Sequence, residues 1–224
     1  MSTIDLSRID GPHADRPVFL EGPSPSEAGA AILLLHGRGA GADGIIGLGR
    51  EIARRLGRED TLLVVPDAAN ATWYPYPFLA PEEQNQPWLD SARAAAASLA
   101  DQLMEHGTPP RRLFIAGFSQ GACLASDTAA RHPRRYGGIF ALSGGLIGPP
   151  DTVFAFDGDL DGTPVFFGCS DVDMHIPKER VVESAGVIES LNGAVDLRLY
   201  EGMGHTINEA ALDAVTAYVR DAVG

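Results

Sequence analysis

Short apolar runs, separated by segments long enough to hold a helix, constrain this chain more than any other feature of its sequence. Residues 31–36 (AILLLH), 61–65 (TLLVV), 113–118 (LFIAGF), 138–142 (GIFAL) and 165–168 (VFFG) are continuously apolar, whereas 195–200 (VDLRLY) alternates. An unbroken run of this length suits a strand buried on both faces, as in a parallel sheet, and an alternating one suits a strand nearer an edge. The intervening segments predict helices over 43–56, 88–106, 119–131, 177–191 and 208–223. Asp43 opens the first, the third stops before Pro133, and Pro177 reads as the first helical residue of the fourth. Strand and helix therefore alternate, which predicts a three-layer α/β fold with a mostly parallel sheet and ligand sites at the carboxyl ends of its strands. No repeat, low-complexity tract or linker divides the sequence. It reads as one domain over 1–224, with an N-terminal segment, 1–22, that is partly irregular.

Composition narrows the partners. Hydrophobic residues make up 45% of the 224, enough for a sizeable core, and 30 acidic against 17 basic side chains leave a formal charge of −13. Such a charge repels phosphate backbones and anionic membrane surfaces, so nucleic acid is not an expected partner. Segment 1–22 lacks the apolar run of a signal peptide, and no stretch approaches the roughly 18 apolar residues of a membrane span. The expectation is a soluble, cytoplasmic protein without a membrane span. Cys123 and Cys169 lie in apolar segments without metal-type spacing and read as buried reduced thiols.

One stretch breaks the alternation. Residues 66–87 are too rich in proline and aromatics for a regular element, yet they follow a strand's carboxyl end. They read as the wall of a binding site, with Trp73 and Tyr74 as candidate substrate-binding residues.

Gly117-Phe118-Ser119-Gln120-Gly121 follows an apolar strand and opens a helix, the setting a nucleophile elbow requires. A sharp strand-to-helix turn needs glycine on both sides of the serine, and the helix N-terminus places free N–H groups beside developing negative charge. The bland alternative is a glycine-rich turn with Ser119 as a helix cap. Acyl transfer needs two N–H donors for an oxyanion: Gln120, after the serine, is one candidate, and the backbone of Arg38 in Gly37-Arg38-Gly39 is the other. That loop lacks the Lys-Ser/Thr ending of a phosphate-binding loop, and His36 before it reads as a structural brace.

Serine also needs a base, and the base a carboxylate. His205, in Gly204-His205-Thr206 between the last strand and the final helix, is the best placed histidine. His175 lies on the loop expected to hold the acid and reads as a wall residue. Asp171 and Asp173 both follow the strand that begins at Pro164, and local chemistry alone does not choose between them. Asp157, Asp159 and Asp161 hint at a calcium loop, but the bidentate glutamate of such a loop is missing from its expected place, so they read as a solvated loop and no metal is expected.

With these pieces in order, the chain resembles the bacterial carboxylesterase/phospholipase family that includes the acyl-protein thioesterases, within the α/β-hydrolase superfamily. Four blocks carry the likeness: LLLHGRGA, GFSQGA, PVFFGCSDVDMHIP and EGMGH, spanning 33–205. In the family's third block the second aspartate is catalytic, and counting from Pro164 and back from Ile176-Pro177 places it at Asp173. Cys169, Ser170 and Met174 stand where the family often has His, Gly and Pro. The resemblance implies an α/β-hydrolase fold without a large cap domain and a triad of Ser119, His205 and Asp173. It implies a cofactor-free serine carboxylesterase, and the aromatic run from Trp73 to Phe78 reads as a short pocket for small esters of short to medium acyl chains. A thioesterase or lysophospholipase-like activity is the near alternative, and a non-catalytic binding protein the distant one. The oligomeric state is left open, with a homodimer compatible.

Overall fold

The computed structural model describes residues 4–224. Seven strands form one sheet: β1 (Val18–Glu21), β2 (Ala30–Leu35), β3 (Thr61–Pro66), β4 (Leu113–Phe118), β5 (Gly138–Leu142), β6 (Pro164–Ser170) and β7 (Ala194–Tyr200). Their spatial order is β1-β3-β2-β4-β5-β6-β7, with β1 antiparallel to β3 and every other pair parallel. The helices are α1 (Ile46–Leu56), α2 (Trp88–Glu105), α3 (Gln120–Arg131), α4 (Lys178–Ser190) and α5 (Glu209–Val223).

The unbroken apolar runs are explained by burial on both faces. Along β2, Ala31, Leu33 and Leu35 point into one core with α2, α3 and α4, while Ala30, Ile32 and Leu34 point into a second with α1 and α5. The alternating run, β7, lies at one edge and is only partly buried, as its pattern predicts. The fold is therefore the expected three-layer α/β arrangement.

The structure adds detail to segment 1–22 and corrects two helix starts. Segment 1–22 ends in β1, whose Phe19 and Leu20 are about half exposed, and an exposed edge strand carries no apolar run to announce it. The same segment buries Leu6 and His13 despite its polar composition. Residues 42–44 form a separate short turn, so α1 begins at Ile46, and Pro177 caps α4 from outside rather than opening it. Both cysteines are free and buried, as expected. Among the described residues, no helix is long and apolar enough to cross a membrane. No group of three or more His, Cys, Asp or Glu residues is placed to hold a metal ion there either. In the acidic loop, Asp159 Oδ1 instead accepts from the Asp161 amide (2.6 Å) and from Asn192 Nδ2 (2.9 Å).

Candidate active site

At the carboxyl end of β4 the chain reverses into α3 within one residue. Ser119 takes up φ 56° and ψ −119°, a strained conformation for a side chain that only tight surroundings maintain. The surroundings are tight because of two glycines. A Cβ on Gly117 would collide with the Gly121 backbone, and one on Gly121 with the carbonyl of Leu35. The motif thus packs the first turn of α3 against β2 and β4, and the Ser119 amide donates to Leu142 O on β5 (3.0 Å).

From the loop after β7, His205 Nε2 reaches Ser119 Oγ at 2.8 Å. Its Nδ1 lies 2.7 Å from Asp173 Oδ2, on the loop after β6. With a carboxylate at Nδ1, that nitrogen carries the proton, and Nε2 is left to accept from the serine hydroxyl. Phe118 and His175 flank the His205 ring, with centroids at 5.0 and 4.8 Å. The Asp173 side chain is fully buried, and its second oxygen accepts from the amides of His175 (2.8 Å) and Ile176 (3.1 Å). Burial alone would raise its pKa, but the hydrogen bonds from His205 and the two amides outweigh it and hold the carboxyl below its ordinary value.

Asp171 does something else. Its Oδ1 accepts from the Gly202 amide at 2.8 Å, and Ser170 Oγ accepts from Gly204 N at 3.0 Å. These two bonds brace the turn that carries His205. Ser170, a departure from the family pattern, thus helps to position the histidine loop through a side chain that glycine lacks.

The Gln120 and Arg38 amides have no acceptor among the described residues. For Gln120 the reason is general, since the first N–H groups of a helix have no carbonyl one turn earlier. The side chains of both residues have a second role that sequence reading missed. Gln120 Oε1 accepts from the buried Trp73 amide (2.9 Å), and its Nε2 donates to Tyr74 O (2.8 Å). The Arg38 guanidinium donates to Pro75 O (2.6 Å) and Tyr76 O (2.8 Å). Buried Asn85 completes the anchorage, accepting from Tyr76 N at 2.8 Å. The aromatic segment is therefore held by its main chain.

Trp73 is not a wall residue. It is fully buried, donates from Nε1 to His36 O (2.9 Å) and packs against the rings of His13 and His36. His13 Nδ1 accepts from the Ala69 amide, so its Nε2 donates to Trp73 O at 2.9 Å. The indole N–H needed a buried acceptor, and the turn after β2 supplies one. His36 braces that turn as expected, with Nδ1 bound to Gly37 O (2.8 Å) and Nε2 accepting from Ala68 N (3.1 Å). Burial lowers the pKa of both His13 and His36, consistent with neutral rings.

Tyr74 and His175 do line the site, an open cavity of about 530 Å3 with Ser119 and His205 at its wall. Its interior is built from Tyr74, Phe78, Cys123 and Ile176, all buried, and its mouth from exposed Arg38, Pro75 and His175. Burial pushes the Cys123 thiol up to about 12, which makes it inert packing rather than a second nucleophile.

The phospholipase/carboxylesterase family's sequence model matches residues 22–222. The chain belongs to that family. A solved phospholipase/carboxylesterase from Dyadobacter fermentans is 38% identical, with a TM-score of 0.84 over 91% of this chain and 96% of that one. Acyl-protein thioesterase 1 of Gibberella zeae is 24% identical over 88% of this chain and 92% of its own length. Its counterpart in Eremothecium gossypii is 32% identical, but that match spans only 54% of this chain and 52% of that protein. The family places the chain among the α/β-hydrolases that act on ester bonds.

Proposed function

We propose that this family member is a serine carboxylesterase that cleaves carboxylic esters of short to medium acyl chains through an acyl-enzyme. The observation that carries the reading is the unbroken path from Ser119 Oγ to His205 Nε2 at 2.8 Å and from His205 Nδ1 to Asp173 Oδ2 at 2.7 Å. Ser119 Oγ attacks the carbonyl carbon as His205 takes its proton, and Asp173 stabilises the resulting imidazolium. The amides of Arg38 and Gln120 receive the oxyanion. The alcohol leaves with the proton from His205, and water activated by the same histidine then releases the acid and restores the serine.

The cavity supports this acyl range. Its apolar interior, of buried Tyr74, Phe78, Cys123 and Ile176, accommodates an alkyl or aryl acyl group in an overall volume of about 530 Å3. A thioester would meet the same three residues, so thioesterase activity, which the fungal relatives' names carry, is the second reading. Rates on p-nitrophenyl esters of increasing chain length, set beside an acyl thioester of matched length, separate the two readings: the carboxylesterase reading expects a maximum at short to medium esters.

Ser119→Ala is expected to lower kcat by about four orders of magnitude or more with an unchanged melting temperature. Near-normal turnover in that variant would remove Ser119 as nucleophile. A non-catalytic binding protein on this scaffold would also fail to react with a fluorophosphonate probe, whereas labelling of wild type but not of Ser119→Ala is the expected result.

A further inference from the structure

The cavity's mouth and interior differ in chemistry. The interior is apolar, while the exposed mouth carries Arg38, and no Asp or Glu lines the cavity. That absence is unusual in a chain whose formal charge is −13. Several exposed arginines, such as Arg8, Arg50 and Arg198, sit against carboxylates. Arg38 has no carboxylate within salt-bridge distance among the described residues.

The guanidinium is nonetheless held in place. Pro75 O and Tyr76 O accept from its two terminal nitrogens, and its central carbon lies 6.0 Å from the centroid of the Tyr74 ring. Carbonyl oxygens orient the fork without cancelling its charge, and they take up only part of its donors. The result is a cation held at the cavity's mouth with no carboxylate beside it among the described residues.

Resting on the esterase reading above, we infer that Arg38 makes this site selective for esters whose alcohol portion carries an anion, a carboxylate or a phosphate. The acyl group enters the apolar interior, and the anionic alcohol remains at the mouth against the guanidinium. Such a cation raises the local concentration of an anionic substrate and pairs with it through a planar fork. Arg38 is thus a specificity-determining residue, and its side chain takes no part in bond breaking.

The test compares phenyl butyrate with its para-carboxylate and para-phosphate analogues on the phenol ring, so that the acyl group and the reacting bond stay the same. At low ionic strength the wild-type enzyme is expected to favour at least one charged ester by about tenfold in kcat/KM, and salt should erode the preference. The two analogues tell whether a carboxylate or a phosphate is the better match. In Arg38→Gln the ratio of charged to neutral rates should fall to about one, whereas Arg38→Lys should keep part of it. Loosening of the aromatic segment lowers all rates together and leaves the ratio alone, so the ratio isolates the charge. No preference in wild type, or a ratio unchanged in Arg38→Gln, overturns the inference. A preference confined to the phenyl monoester of glutaric acid, whose anion lies on the acyl side, overturns the assignment to the alcohol. Should Arg38→Gln not fold, salt titration of the wild-type ratio decides, because a preference that salt does not weaken is not electrostatic. Failure of the esterase reading looks different: none of the esters is turned over.

Discussion

The two halves of the site are held by different means. Ser119, Asp173 and His205 sit on turns directly after β4, β6 and β7, and each turn is tied down by bonds to nearby strands and loops: Ser119 N to Leu142 O, Asp171 to Gly202 N, and Ser170 to Gly204 N. The aromatic segment opposite them has no strand of its own and hangs on side chains, Arg38 and Gln120 from distant parts of the sequence and Asn85 from its own far end. Reactive groups are therefore positioned by the sheet, while the surface presented to a substrate is positioned by three polar clamps.

The sharpest way to break this comparison is to exchange the two loop aspartates. Asp173→Asn should lower kcat by about three to four orders of magnitude, since an amide no longer fixes the His205 tautomer or stabilises its cation. Asp171→Asn should lower it by less than about tenfold, because it loosens only the brace to Gly202. If the second variant is the crippled one, the carboxylate assignment is wrong.

A middle-sized effect probes the clamps. Gln120→Ala keeps the amide next to Ser119 but strands the buried Trp73 N–H, and should destabilise the fold by about 1–3 kcal/mol. Its kcat/KM should fall by roughly tenfold on long or bulky esters, through KM more than kcat. Thermal melts and chain-length profiles measured together check this; a large loss in kcat with unchanged KM would mean that the clamp acts on the chemistry itself.

The smallest effect is a linkage. Because the folded carboxyl of Asp173 is held below its ordinary value of 3.8, its charged form contributes stability at neutral pH. That contribution is complete above the unfolded value and is lost as pH falls through the lower folded value. The stability gap between wild type and Asp173→Asn should therefore be constant down to about pH 5 and shrink below about pH 4. Denaturant midpoints at stepped pH measure it, and a gap that widens on acidification contradicts the sign.

The same contrast explains what the sequence made legible. Strands β2 to β6 are readable because burial on both faces leaves an unbroken apolar run, and Ser119 because backbone collisions demand glycine at 117 and 121. The order of Ser119, Asp173 and His205 along the chain follows from the order of the strands that carry them. Trp73 is different: an aromatic side chain suits a wall and a core equally well. Which one it joins depends on His36 O and on the rings of His13 and His36, remote in sequence. The clamp role of Gln120 is hidden for the same reason, since its main-chain partners are distant in sequence, and that of Asn85 because a polar side chain bonded across an irregular segment leaves no periodic trace. Strand β1 escapes notice because it is exposed.

Arg38, Asn85 and Gln120 all grip the aromatic segment by its peptide groups: the amides of Trp73 and Tyr76 and the carbonyls of Tyr74, Pro75, Tyr76 and Pro77. The exposed side chains between those grips are consequently free to vary without releasing the segment. A lineage, or an engineer, could exchange residues 75–77 as a cassette and redirect the enzyme toward new esters while the hydrolytic apparatus stays as it is. Evolvability here is a property of where three hydrogen-bonding residues take hold.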